Sequence, residues 1–554
     1  MRSYTSPARR TVKIGSDLNP AAGLLDWARS WLFAVRTSLA LRQLHFWPGT
    51  RRNGRKNGRR TLIYGAGAAG LGLNSEFARS TSPKFQVVGF IDDAPSKARR
   101  FLHGKPVLGT GQDIQRLVET HRIESVIVAM PSVTGAHRLR ILRRTVETAV
   151  KCHILPDAEE LGQGSTHGEP VRELGIEDLL GRRAVEMDAE AIRHRIEGKV
   201  VLVTGAAGSI GSELCRQLAR FEPLKLIGFD EAETPLFHLD RELIRSFPGL
   251  AFYPEIGDIT RADHLHQVMT AYRPSIVYHA AAYKHVPMME RQVFAAVENN
   301  ILGTFQVAQA AVEHGVDDFV LISTDKAVRP ASVMGATKRA AELVIRAMQQ
   351  ASGTKFVAVR FGNVLGSSGS VVPIFNQQIA AGGPVTVTHP DMSRYFMTIA
   401  EAVQLVLQAF SIGQGGEVFV LDMDLPINIV DLARYLILLS GLKPGRDIAI
   451  EFSGMRPGEK LFEELNLEHE SLIPTTHSQI RTYTSSCCFA MRTMESLLEE
   501  MRHALAERDA ASLVRILKEM VPDYNPGAHL LEPNGAMGTE GEELLGAALP
   551  SVGD

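Results

Sequence analysis

The sequence predicts an α/β protein built from two Rossmann-like, doubly wound parallel-sheet domains, the second with a smaller C-terminal substrate-binding portion. Three observations predict it. Short apolar runs alternate with segments of helical apolar spacing, the pattern of parallel strands joined by crossover helices. Two of those runs open straight into glycine-rich turns, at 65–70 and 205–211. No short fixed-period repeat competes with this organisation.

At 554 residues the chain exceeds one ordinary domain, and its 45% hydrophobic and 22% charged content is that of a globular protein. A formal net charge of −2 gives no overall attraction to nucleic acid, so no nucleic-acid partner is expected. The four cysteines, Cys152, Cys215, Cys487 and Cys488, have neither the number nor the spacing of a disulfide framework or a zinc site. No metal is expected, and a reducing cytoplasm is the natural setting.

Residues 1–60 read as a leader. Within it, 21–47 is an amphipathic stretch carrying Trp27, Trp31, Phe33 and Phe46, interrupted by Asp26, Arg29, Arg36 and Arg42, so it is not a spanning helix. The basic run 51–60, with six Lys or Arg in ten, follows at once. Together they point to peripheral contact at the inner face of the membrane. The late apolar block and its internal arginines argue against a cleavable signal peptide.

The first Rossmann-like domain is expected over 61–160. Its first strand, at 61–64, turns through Gly65, Gly67 and Gly70 into a helix. A second strand at 86–91 ends in Asp92 and Asp93, a third lies at 125–129, and helical spacing fills 136–150. No proton-transfer pair follows in this unit, so ligand binding and a purely structural role both stay open. A polar connector spans 161–196. The larger domain, 197–525, opens with a strand at 199–203 and continues with strands at 225–229, 276–279, 319–322 and 356–360. Beyond it, 526–554 has the composition of a disordered tail.

The strongest local signal is Gly205, Gly208 and Gly211 between an apolar strand and an amphipathic helix. Such glycines let the backbone turn sharply and approach a pyrophosphate, whose charge rests at the helix N-terminus. Asp230 closes the next strand, where a carboxylate accepts from ribose hydroxyls. It would repel a 2′-phosphate, which favours NAD over NADP, although Arg241 and Arg245 lie near in sequence. The chemistry is expected further on. Thr324, Asp325 and Lys326 follow an apolar strand, at the strand end where α/β enzymes place their sites. Met334 and Lys338, spaced i and i+4, share one face of the following helix. An acid, a base and a helical lysine over a dinucleotide suit redox chemistry coupled to proton transfer.

Seven blocks then carry a resemblance: VTGAAGSIGSEL (203–214), HAAAYKHVPMME (279–290), ENNILGT (298–304), STDKAVRPASVMGATKR (323–339), VRFGNVLGSSGSVVPIF (359–375), SRYFMTIAEA (393–402) and MRPGEKLFEEL (455–465). In these the chain resembles the bacterial polysaccharide-biosynthesis family of nucleotide-sugar 4,6-dehydratases, within the extended short-chain dehydrogenases. The resemblance runs from about residue 61 to 524. It implies oxidation of a UDP-sugar, typically UDP-N-acetylglucosamine, at C4, elimination of water across C5 and C6, and hydride return to C6. It further implies that Lys326 removes the C5 proton, Asp325 protonates the leaving C6 hydroxyl, Thr324 bonds the C4 oxygen and Lys338 holds the nicotinamide ribose. Ser209, Ile210, Asp258, Ile259, Ala280 and Ala281 belong by resemblance to the cofactor pocket. Lys284, His285, Asn363, Arg456 and Glu459 belong by resemblance to the UDP-sugar side. These enzymes usually carry Tyr four residues before the active-site Lys; Met334 stands there, and a thioether cannot take the phenol's part as acid or base. A homo-oligomer is expected. A nucleotide-sugar epimerase on the same scaffold and a non-catalytic nucleotide-binding protein are the rival readings.

Overall fold

Strands of Val, Ile and Leu that are apolar on both faces call for helices on both sides of a parallel sheet, and the chain builds that arrangement twice. The computed structural model describes residues 58–530 apart from 81–83, 132, 134, 157–169, 183–184, 467–471 and 484–488. The expected leader helix, nearly all of the basic run, Cys487, Cys488 and the chain past Leu530 lie outside the described residues. Among the described residues no helix is long and apolar enough to cross a membrane.

In the first sheet the strands are β1 (Arg59–Tyr64), β2 (Phe85–Ile91), β3 (Phe101–Leu102), β4 (Lys105–Gly109), β5 (Ser125–Val128), β6 (Lys151–Ile154) and β7 (Arg172–Glu173), in spatial order β3-β4-β2-β1-β5-β6-β7. The inner five run parallel, while β3 and β7 add antiparallel edges. The expected connector is therefore divided. Its first part supplies β7 and buries Val171, Leu174, Ile176 and Leu179. Its last part forms the helix Ala189–Ile196, whose Ile192 and Ile196 enter the core of the second sheet.

The second sheet orders β8 (Val200–Thr204), β9 (Lys225–Asp230), β10 (Phe252–Ile256), β11 (Ile276–His279), β12 (Asp318–Ile322) and β13 (Lys355–Arg360) as β10-β9-β8-β11-β12-β13. Val418–Leu421 extends it in parallel, and Ile480–Tyr483 and Ile473–Pro474 follow as antiparallel strands. The order reverses between β8 and β11, where Thr204 pairs with His279. A reversal of this kind opens a crevice at the strands' carboxyl ends.

Two cores flank this sheet. On one side, the helix Val333–Ala351 is buried beneath the helices Met491–Ala506 and Ala510–Met520. The described chain then continues into the segment expected to be tail. There Ala528–Leu530 makes a turn of 3-10 helix, and Leu530 is buried in the same core. A third core joins the first sheet to the helices Val371–Ala380 and Ile429–Leu439.

Candidate active site

The glycine turn after β8 packs so tightly that side chains are excluded. Gly205 has φ +69°, and a Cβ there would stand 2.5 Å from the Ala281 nitrogen. One on Gly211 would stand 2.0 Å from the Gly205 carbonyl oxygen. Gly208 caps the helix Ser209–Ala219 without any side-chain hydrogen bond, so the first N–H groups, those of Ser209 and Ile210 among them, face outward as an anion site would need. Ala280 ties the next strand end to this turn, its N–H donating to the Thr204 carbonyl at 3.0 Å.

Asp230, at the end of β9, accepts from the N–H groups of Ala207 and Ala232, each at 2.9 Å. Glu231 and Asp258 add negative charge beside it. Burial first, and then Asp258 and Asp230, push the Glu231 carboxyl above its ordinary range. Asp258 accepts from Thr260 N–H at 2.7 Å, and Ile259 beside it is buried. A tight glycine cradle ending in clustered acids fits a dinucleotide. Arg241 and Arg245 instead line a surface hollow with His238 and Glu242 on the helix Glu233–Ser246.

Beneath the cradle lies His279, fully buried. Thr304 donates its hydroxyl proton to the Asn300 carbonyl, so its oxygen must accept from His279 Nε2 at 3.0 Å. His279 Nδ1 then accepts from the Thr204 hydroxyl at 2.6 Å. Burial, helped by the charge of Lys338, brings the imidazole pKa down to about 3. This histidine is a neutral strut.

At the end of β12 the predicted acid and base meet. Thr324 Oγ1 donates to Asp325 Oδ1 at 2.9 Å, and Lys326 Nζ donates to the same oxygen at 2.9 Å. Lys326 Nζ also donates to Asn363 Oδ1 at 2.9 Å. Asn363, assigned by resemblance to the sugar side, thus touches Lys326 of the predicted acid–base pair. Asp325 is 0% exposed, and its Oδ2 has no hydrogen-bond partner. Only a glycine suits position 362, since a Cβ there would stand 3.1 Å from that oxygen and 2.9 Å from Tyr395 Cβ. Burial opposes the charge on Lys326, but Asp325 and Glu463 outweigh it and raise the pKa, so the amine is held as an ammonium.

The helix Val333–Ala351 begins beside this pair. Ser332 accepts from Gly335 N–H at 3.1 Å, and Glu290 Oε1 accepts from Val333 N–H at 2.6 Å. Lys338 is 6% exposed, and burial brings it down to about 8 against the opposing charge of Glu342. Met334, one turn earlier, is 3% exposed and packs in the large core. Behind the site runs an ionic network that the sequence did not reveal. Arg360 grips Glu342 with two bonds of 2.8 and 2.7 Å and donates to Tyr483 Oη at 2.6 Å. Arg339 and Ser323 donate to the same carboxylate at 2.8 and 2.6 Å. Burial works against this charge, yet the two arginines bring Glu342 down to about 2.

Lys284, His285, Lys326, Arg394, Glu459 and Glu463 line one cleft. Burial lowers both Lys284 and His285, and Lys284 lowers His285 further. Arg456 is not among the cleft-lining residues; its side chain is 55% exposed and approaches Glu459 at 4.0 Å. Arg394 and Glu463 were not singled out from the sequence, although both fall within the blocks 393–402 and 455–465.

The first sheet repeats the cradle with one difference. A Cβ on Gly70 would stand 1.9 Å from the Gly65 carbonyl oxygen, and Asp92 accepts from Ala66 and Ala94 N–H at 2.8 and 3.0 Å. Here Lys97 Nζ donates to Asp92 at 2.7 Å. Burial raises the Asp92 pKa, but Lys97 and the two amides bring it below its ordinary value. The acid stays ionised with its charge neutralised, unlike the acid cluster around Asp230.

Comparison with known proteins finds relatives of this chain. Residues 201–485 match the model of a family described as polysaccharide biosynthesis protein, and residues 24–156 match that of a CoA-binding domain. The chain is 47% identical over 424 residues to the probable polysaccharide biosynthesis protein EpsC of Bacillus subtilis, covering 76% of this chain and 71% of that protein. It is 48% identical over 413 residues to the capsular polysaccharide biosynthesis protein CapD of Staphylococcus aureus, covering 74% and 69%. Among solved structures, Pen from Bacillus thuringiensis is 34% identical, with 53% of this chain and 89% of that one covered and a TM-score of 0.49.

Proposed function

This chain belongs to the polysaccharide biosynthesis protein family of extended short-chain dehydrogenase type, and from that premise we propose that it is a nucleotide-sugar 4,6-dehydratase acting on UDP-N-acetylglucosamine. The observation that carries the proposal is the hydrogen-bonded set Thr324, Asp325, Lys326 and Asn363 at the carboxyl end of β12. An epimerase needs only oxidation and reduction at C4. An elimination needs a base at C5 and an acid at the C6 hydroxyl in addition, and this set offers both.

NAD, held by Gly205, Gly208, Gly211, Ser209, Ile210 and Asp230, supplies when bound a hydride acceptor for sugar C4 and a hydride donor for C6. Everything else falls to side chains. The Thr324 hydroxyl holds the C4 oxygen. As found, Lys326 carries the proton and Asp325 accepts it across 2.9 Å, the reverse of the distribution that elimination requires. Moving that one proton from Nζ to Oδ1 makes both reagents at once. The free amine of Lys326 then takes the C5 proton, acidified by the neighbouring ketone. The carboxylic acid of Asp325 protonates the C6 hydroxyl as it leaves as water. The Lys326 ammonium then returns a proton to C5 as hydride reaches C6, and the proton freed from the C4 hydroxyl passes through solvent to restore the ammonium beside the Asp325 carboxylate. Desolvation by bound sugar favours this transfer, because it turns an ion pair into two neutral groups. Lys338 bonds the nicotinamide ribose and supplies positive charge below its pKa of about 8. Met334 packs beside it and moves no proton. Lys284, His285 and Glu459 contact the nucleotide-sugar along the cleft, and Arg456 reaches it by way of Glu459.

Incubating the purified protein with UDP-N-acetylglucosamine and weighing the product by mass spectrometry tests the reading. The expected product has lost one water; a product of unchanged mass with inverted C4 makes the enzyme an epimerase.

A further inference from the structure

Lys326 shares its cleft with a carboxyl group that the elimination leaves without a role. Glu463 is 5% exposed at its side chain, and its Oε2 is buried with no hydrogen-bond partner. Its Oε1 lies 3.9 Å from Arg394 Nε. Arg394 fixes the segment that carries it, donating to the carbonyls of Lys460 and Leu461 at 2.6 and 3.1 Å. The charged groups facing Glu463 are Lys326, Asp325, Arg394 and Lys460. Those facing Lys326 are Asp325, Glu463 and Arg394. Lys284, His285 and Glu459 line the same cleft. A buried carboxylate oxygen without a donor is costly.

We propose that Glu463 is a positioning residue of this site, setting where the proton shared by Lys326 and Asp325 rests. Ionised Glu463 places a second negative charge beside the ammonium and keeps the proton on Lys326. Protonated Glu463 withdraws that charge. The N–H bond at Lys326 can then break as an O–H bond forms at Asp325, with no atom gained or lost by the pair. Burial raises the Glu463 carboxyl, although Lys326 pulls the other way, so it changes charge nearer neutrality than an exposed glutamate. The inference rests on the reading that Lys326 and Asp325 handle the C5 and C6 protons, but its first test is independent of turnover.

That test is acylation of Lys326 by acetic anhydride in the full-length protein, followed by mass spectrometry across pH, in wild type, Glu463→Gln and Glu463→Asp. An opposite charge at close range shifts a pKa by about 1–3 units. The Lys326 reactivity midpoint should therefore fall by about one unit or more in Glu463→Gln and stay near wild type in Glu463→Asp. Glu463→Met removes the charge without leaving a buried amide, and carries the same expectation should the Gln variant not fold. An unchanged midpoint in a folded neutral variant overturns the proposal. The second readout is the pH profile of dehydration. Its acid limb should move to lower pH by the same amount in Glu463→Gln, with KM for the nucleotide-sugar little changed. A raised KM with an unmoved profile makes Glu463 a binding residue and sinks the proposal. If the labelling midpoint shifts while wild type forms no dehydrated product, the dehydratase reading fails and this one stands.

Discussion

Asp325 and Lys326 are adjacent in the chain, yet the surroundings that suit them to the proposed acid and base roles are long-range. Asn363 holds the lysine from another loop, and Gly362 leaves the space beside Asp325 Oδ2. Asp325→Asn should preserve the fold and bound NAD while lowering turnover by about 10²–10⁴-fold, the usual weight of a general acid or base. Oxidation at C4 needs no acid at C6, so this variant should still develop NADH absorbance when given substrate; near-normal turnover would remove Asp325 from the mechanism. Met334→Ala should divide the other way. The side chain is buried in the large core, so its truncation should cost roughly 2–5 kcal/mol in urea unfolding. Its effect on rate should stay well below that of Asp325→Asn. At this scale the glycines, Asp230 and the Thr324–Lys326 run were legible because a local spacing announces each. Glu463 and Arg394 were not. Their meaning comes from burial against Lys326, which lies more than sixty residues away in the chain.

Among the elements, the strands read correctly from the sequence, β1, β2, β5, β8, β9, β11, β12 and β13, are short apolar runs buried on both faces. Val418–Leu421 was missed although it is apolar and buried throughout, but other missed strands have physical reasons. β10 carries Pro254 at the sheet edge and is only half-buried, β6 contains Lys151 and His153, and Ile480–Tyr483 places Arg481 and Thr482 between its two buried ends. The helix Val333–Ala351 was foreseen, but the network anchoring it through Glu342 was not, because charged residues at helical spacing read as a solvated face. Here they are buried, and removing one partner leaves an uncompensated charge. Glu342→Ala should therefore destabilise the protein by about 3–5 kcal/mol in denaturant titration. Replacing Glu342 and Arg360 together with apolar residues of similar size should cost much less; equal losses would contradict this account of the network. Acid tests another strut. The His279 imidazole is held down at about 3 against an ordinary 6.5. Between those values the unfolded chain binds more protons than the folded one, so stability is intact above pH 6.5 and declines as pH falls toward 3. Urea midpoints measured across that range should fall more steeply in wild type than in His279→Asn.

For the whole molecule, doubling of the Rossmann pattern was visible because each half announces itself with a strand, a glycine turn and a helix. The way the chain finishes was not visible. Helices from the C-terminal region cover the helix Val333–Ala351, and the third core fastens the first sheet to Ile429–Leu439. Contacts between segments so distant leave no period in the sequence. The two cradles share their glycine and aspartate geometry, and differ in the charge each aspartate meets, Lys97 in one and Glu231 with Asp258 in the other. Among the described residues only the second opens beside the proposed acid–base pair Asp325 and Lys326, where turnover is expected. The most direct measurement is NMR of the product formed from UDP-N-acetylglucosamine in deuterated water. A 4-keto-6-deoxy sugar carrying solvent deuterium at C5 is the predicted result. A sugar that keeps its C6 hydroxyl and its original C5 proton would contradict the assignment of Lys326 and Asp325 as the base and acid of an elimination.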